Sequence, residues 1–204
     1  MKKSISAVFA VILMISLAAC GTKSGHDAYK EIYKRYNALN SFYAEVEITV
    51  RNARSENTYC ARQFYKSPDA YSITVDSPEE LGGSGYVMRG GETLVKSGFG
   101  KSENLGVCSP SARNVVFITD FFAEYYKSEE TSVSTAGGMT EKTTVLSCFV
   151  KDGTESRFSR SLWIDNKTFL PVKLETYDIN GKPTVTVNYK EFKRNCDIED
   201  KFFE

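Results

Sequence analysis

Histidine is nearly missing from this chain of 204 residues: His26 is the single one, and it stands close to the N-terminus in a Gly/Ser/Lys stretch. A rigid active site would be hard to build there, so chemistry that needs an imidazole as base, acid or ligand is weakened at the outset. Net charge is missing as well. Lys and Arg number 26 and Asp and Glu number 26, which leaves no field to draw in nucleic acid or another polyanion. There is no Cys-x-x-Cys pair, and the wide spacing of Cys60, Cys108, Cys148 and Cys196 disfavours a zinc knuckle or a thiol-exchange centre. Neither a metal nor another cofactor is expected. A Gly-x-Ser-x-Gly elbow is also wanting, so a hydrolytic triad has no nucleophile turn and no nearby base. Carboxylate pairs such as Glu45 with Glu47 or Glu79 with Glu80 can be drawn, but a polar strand face and a turn explain them better than a sugar-sized catalytic cleft. Gly82-Gly83-Ser84-Gly85 lacks the Lys-Ser/Thr that completes a phosphate loop and runs into a strand, not a helix. No catalytic residue is expected.

Long apolar runs are scarce too. The main one, Ile5 to Leu17, is broken only by Ser6 and Ser16 and is too short for a stable membrane span. It follows Met1-Lys2-Lys3 and ends in Leu17-Ala18-Ala19-Cys20-Gly21, which is the build of a secretory signal. That ending resembles the bacterial lipobox, in which cleavage between Ala19 and Cys20 leaves a cysteine that carries a diacylglycerol and palmitate-like acyl chains. An ordinary secretory signal with a chance cysteine is the plainer alternative, and the full order of the three regions favours the lipoprotein. The expected division is a signal peptide over 1–19, a lipidated tether over 20–27 and one domain over 28–204. Two or three acyl chains, at roughly 0.8 kcal/mol per buried methylene, anchor firmly. The mature chain would carry 24 basic and 26 acidic residues, a formal charge of −2, so attachment to the extracytoplasmic face of the cell membrane rests on the lipid. Outside the cytoplasm the four remaining cysteines permit two disulfides in three connectivities; four buried thiols are the other reading.

What is present in quantity is aromatic: 13 Phe and 12 Tyr, with a single Trp. Tyr29, Ile32, Tyr33, Tyr36 and Leu39 recur at helical spacing behind Asp27 and ahead of Asn40-Ser41, so one amphipathic helix is predicted. From Ala44 to Arg51 the period changes to two, and Asn57 to Lys66, Ala70 to Asp76, Gly85 to Arg89 and Glu92 to Ser97 read as further strands. Gly98 to Pro110 reads as a loop, and Ala112 to Lys127 as a helix that is apolar on most sides and suits the hollow of a curved sheet. Thr131 to Thr135, Lys142 to Lys151, Ser156 to Asp165, Val172 to Asp178 and Thr184 to Phe192 return to strand. With no repeat and no linker, the class is α+β, mostly antiparallel, in one domain.

Several segments together resemble the LolA/LolB-like lipoprotein superfamily. They are Tyr36 to Tyr43, Tyr65-Lys66-Ser67-Pro68-Asp69-Ala70-Tyr71, Gly91-Glu92-Thr93-Leu94, Leu162 to Glu175 and Tyr177 to Lys182. The resemblance implies an incomplete, curved antiparallel barrel whose concave face is covered by helices. Within that superfamily the chain looks most like the germination lipoproteins of spore-forming clostridia, the GerS type. This implies a non-enzymatic lipoprotein that binds and activates a cell-wall amidase of the N-acetylmuramoyl-L-alanine class on spore cortex peptidoglycan. Carrier members of the superfamily hold acyl chains in the concave cavity; here Ser67 stands where the periplasmic carriers have an Arg before the Pro. Phe121, Phe122, Tyr125 and Tyr126 then have two readings, as core that plugs the hollow or as a surface for an acyl chain or a protein partner. Open edge strands offer a docking route, by adding a partner strand or by exchange between two copies in a homodimer.

Overall fold

Alternation of buried and exposed residues along the chain builds most of the molecule. The computed structural model describes residues 25–98, 102–107, 115–136 and 143–204. Helix α1 (Gly25–Asn37) comes first, and its start at Gly25 places Asp27 in the first turn instead of ahead of it. Six strands follow: β1 (Ser41–Arg51), β2 (Glu56–Lys66), β3 (Ala70–Ser77), β4 (Gly85–Arg89), β5 (Glu92–Lys96) and β6 (Ser102–Val107). Helix α2 (Ile118–Tyr125) then precedes β7 (Thr131–Ala136), β8 (Thr143–Thr154), β9 (Arg157–Asp165), β10 (Pro171–Tyr177) and β11 (Pro183–Arg194). These strands form one antiparallel sheet in the order β6-β5-β4-β3-β2-β1-β11-β10-β9-β8-β7. Two meanders therefore meet where the first strand pairs with the last. Strands β6 and β7 lie at opposite edges of the sheet, and α2 sits on the connection between them.

Along β1, Phe42, Ala44, Val46 and Ile48 are buried on the inner face while Glu45 looks outward. Cross-strand register carries that face around the curve through Ala61 and Tyr65, Ile73, Val187, Leu174, Leu162 and Leu146, and both helices pack on it. This is the open, curved barrel that the LolA/LolB-like resemblance implied. A second, smaller core lies on the other face. There the C-terminal segment after β11, including a 3-10 turn over Asp200–Phe203, lays Ile198 and Phe203 against Phe64, Ala70 and Val87, with the Phe202 ring stacked on Phe64 at 4.3 Å. No alternation marks this segment in the sequence, and its helical turn is too short to give a period.

Two expectations need correction. The stretch after Gly98 contains strand β6, whose polar, glycine-bearing sequence buries too little at a sheet edge to leave a pattern. Helix α2 is about half as long as its apolar run. Val115 and Val116 do not join it because their carbonyls accept from the Arg160 guanidinium (2.7 Å) and the Gln63 side-chain amide (3.0 Å), and Phe117 is extended. In the Gly82-Gly83-Ser84-Gly85 turn, the N–H groups of Gly82, Gly83 and Ser84 donate to Glu79, Val75 and Leu81 carbonyls, so none is left to cradle a phosphate. Gly85 is required there: a Cβ would lie 1.9 Å from the Ile73 carbonyl oxygen.

Candidate functional site

The hollow of the sheet is filled from within by α2. Phe117, Ile118 and Phe121 have no exposed surface, and Phe122 and Tyr125 have almost none. Helix α1 closes over them through ring contacts: Tyr36 stacks on Phe122 at 4.7 Å, Tyr29 meets Tyr125 at 6.3 Å and Tyr33 meets Tyr126 edge-on at 5.5 Å. The Tyr36 hydroxyl donates to the Phe169 carbonyl at 3.1 Å, and burial pushes its phenol upward. Of the four aromatic residues singled out on this helix, Phe121, Phe122 and Tyr125 are therefore core, and Tyr126 is 44% exposed beside Tyr33.

A buried ionic cluster fixes the plug to the sheet. Arg160, on the inner face of β9 in line with Leu162 and Ile164, has no exposed surface. Its Nη1 donates to Asp120 Oδ2 at 2.9 Å and to Glu124 Oε2 at 2.6 Å, both on α2. Arg157 pairs with the same two carboxylates. Burial pushes the Arg160 guanidinium down from its ordinary value, and the Asp120 carboxylate opposes that push. Sequence reasoning missed this group. A signal existed: Asp120 and Glu124 are one helical turn apart, and an arginine interrupts the apolar alternation of β9. Beyond the cluster the hollow opens into a cleft of about 850 Å³ lined by Val50, Ala123, Val150, Val185, Thr176 and Arg157 among others. That lining mixes apolar and charged groups.

The other candidates are dispersed. Glu45 and Glu47 share the outer face, where Glu45 accepts from the Tyr43 hydroxyl at 2.6 Å and Glu47 lies 3.5 Å from Lys190. Burial, and after it the hydrogen bond to Glu45, pushes the Tyr43 phenol up to about 12. Phe42 and Tyr65 are core, Tyr71 packs against Phe117, and Tyr43 packs against Phe64 in the second core. Cys60, Cys148 and Cys196 are free; Cys60 is exposed, whereas Cys148 is inside the hollow beside Arg160 on the neighbouring strand. Ala19, Cys20 and Cys108 lie outside the described residues. Among the described residues no group of acidic, His or Cys side chains could hold a metal, and no helix is long and apolar enough to cross a membrane.

A curved antiparallel sheet with both helices against its concave face is the architecture that the LolA/LolB-like resemblance implies. The chain belongs to the sporulation protein YdcC-like family, whose model matches residues 1–203. No curated protein matches it. Among solved structures it is similar, at 26% identity and a TM-score of 0.52, to a chain in the complex of the CwlD amidase from Clostridioides difficile with the GerS lipoprotein, over 85% of this chain and 97% of that one. An uncharacterized conserved protein from Thermus thermophilus superposes at a TM-score of 0.53 with 13% identity, over 88% and 93% of the two chains. The lipoprotein LppX of Mycobacterium tuberculosis superposes at 0.50 with 16% identity, over 84% and 95%. Those two likenesses are of fold.

Proposed function

We propose that the chain is a lipoprotein held through Cys20 at the outer face of the cell membrane, after removal of residues 1–19, and that it is a binding module without catalysis of its own. Its partner is a cell-wall amidase of the N-acetylmuramoyl-L-alanine class, activated for cortex peptidoglycan during spore germination. The similarity to a chain of the CwlD–GerS complex over 97% of that chain carries the reading. Membership of a sporulation family supports the setting. Phe121, Phe122 and Tyr125 fill much of the hollow, and the cleft that remains beside them carries Asp120, Glu124 and Arg157 in its wall, which supports a protein-binding role over acyl-chain carriage.

The mechanism is mass action. An amidase whose active conformer binds this module better than its inactive one is shifted toward activity by that difference and by no more. Mixing the purified chain with the sporulation amidase of the same organism should yield a complex on size exclusion and raise hydrolysis of cortex fragments, while the chain alone releases nothing. An amidase equally active with and without the chain, and no complex, overturns the reading. Acyl chains that copurify in stoichiometric amount would restore the carrier. Labelling with radioactive palmitate tests the anchor, since Cys20→Ala should abolish it.

A further inference from the structure

The surface next to the start of α1 carries apolar groups that the core does not use. Phe149 and Phe158 meet edge-to-face at 5.3 Å and are 44% and 37% exposed. They line a groove of about 520 Å³ together with Lys127, Glu129, Glu130 and Lys151. Two lysines against two glutamates leave the groove without net charge, and this weakens the case for a strongly charged ligand.

Position singles out the occupant. From Gly25 to Tyr29 is one helical turn, about 6 Å. Tyr29 contacts Tyr125, which neighbours Tyr126, and the Phe149 N–H donates to the Glu130 carbonyl at 3.4 Å. The start of α1 therefore packs against the end of α2, and the groove opens beyond that end, from Lys127 onward. Five residue steps separate Cys20 from Gly25, a reach of at most about 18 Å when fully extended. A lipid seated in the bilayer at Cys20 therefore keeps the start of α1 within about 18 Å of the headgroup layer.

We propose that the groove between the end of α2 and the β8–β9 hairpin rests on the membrane, with Phe149 and Phe158 in the interfacial layer where aromatic rings are favoured. This inference rests on anchoring through Cys20. The acyl chains supply the affinity, and the two rings set the orientation that leaves the opposite end of the sheet free for a partner. Because the groove is neutral, orientation depends little on anionic lipid.

The test uses the processed chain purified from membranes and reconstituted in phosphatidylcholine vesicles that contain a phospholipid with a photoactivatable acyl chain. Mass spectrometry of the illuminated protein should find lipid on Cys20 and adducts concentrated in peptides around 126–130 and 149–158. The variant F149S/F158S, with its fold checked by circular dichroism, should lower those adducts roughly threefold or more. Replacing a third of the lipid by phosphatidylglycerol should change the yield less than about twofold. A chain without lipid at Cys20 overturns the anchor and this inference together. Lipid at Cys20 with adducts on another face, or an unchanged yield in F149S/F158S, overturns the orientation alone. So does a groove that lipid leaves unmarked and that is protected only when amidase is added, because the surface then belongs to the protein partner.

Discussion

A guanidinium without exposed surface persists in the hollow because Asp120 and Glu124 meet it and the Val115 carbonyl takes a further N–H. Removing one partner from such a group strands the rest, so Arg160→Ala should cost about 3–5 kcal/mol in urea unfolding. A loss below roughly 1 kcal/mol would mean that the carboxylates find water instead, and the cluster would not be holding the helix. Cys148, which pairs with Arg160 across the sheet, makes a prediction in pH. Burial pushes its thiol up to about 11. A group whose folded pKa is raised keeps its proton longer in the native state, so its contribution is complete below the unfolded value, about 8.5, and is lost as pH rises toward 11. Stability should therefore begin to fall between about pH 8 and 9, ahead of the steeper loss that follows as the buried tyrosines, whose phenols are also raised by burial, ionise in the unfolded chain, and Cys148→Ala should flatten that first part of the profile. Native protein at pH 8 should give iodoacetamide adducts on exposed Cys60 and none on Cys148. Equal labelling of the two would contradict the burial.

At the scale of elements, α2 is the piece on which the hollow depends. Phe121 is fully enclosed under the Arg160 guanidinium and beside Tyr125. Its truncation, Phe121→Ala, should cost about 3–5 kcal/mol, whereas Tyr126→Ala one turn away should cost under about 1 kcal/mol because half of that ring is already in water. Comparable losses would place Tyr126 in the core after all. The strands were legible because period two is a local property: Phe42, Ala44, Val46 and Ile48 announce their face whatever lies across from them. The extent of α2 was not. Its apolar run continues back through Val115 and Val116, and only the distant Gln63 and Arg160 side chains take the carbonyls that a longer helix would use. Strand β6 was hidden for the opposite reason, since an edge strand with exposed side chains needs no alternation. The clustering of Asp120, Glu124, Arg157 and Arg160 depends on the return of β9 beneath α2, a tertiary fact that their positions in sequence hint at and do not determine.

At the scale of the molecule, the two meanders look separable and are predicted not to be. Strands β1 to β6 come from the first half and β7 to β11 from the second, yet β1 and β11 pair along nine positions, from Phe42 with Arg194 to Val50 with Val185. The main core mixes Phe42, Val46 and Tyr65 from one half with Leu146, Leu162 and Leu174 from the other. Gln63 of β2 and Arg160 of β9 grip adjacent residues of the same crossing segment. Opening either half alone would expose the inner face of the other and leave α2 without one wall, so no half has a core to keep. Unfolding should accordingly be a single transition. Trp163 on β9, with the Lys173 ammonium 3.9 Å from its ring, reports on the second half by fluorescence, and far-ultraviolet circular dichroism reports on both. The two urea curves should superimpose, and Val46→Ala in the first half should shift the Trp163 transition by as much as it shifts the dichroism, a loss of about 1–3 kcal/mol. A fluorescence transition that ignores Val46→Ala would mean that the meanders fold independently. In that event the membrane-facing groove on β8 and β9 and any partner surface on the first half could move separately, and a tether at Cys20 would orient only part of the molecule.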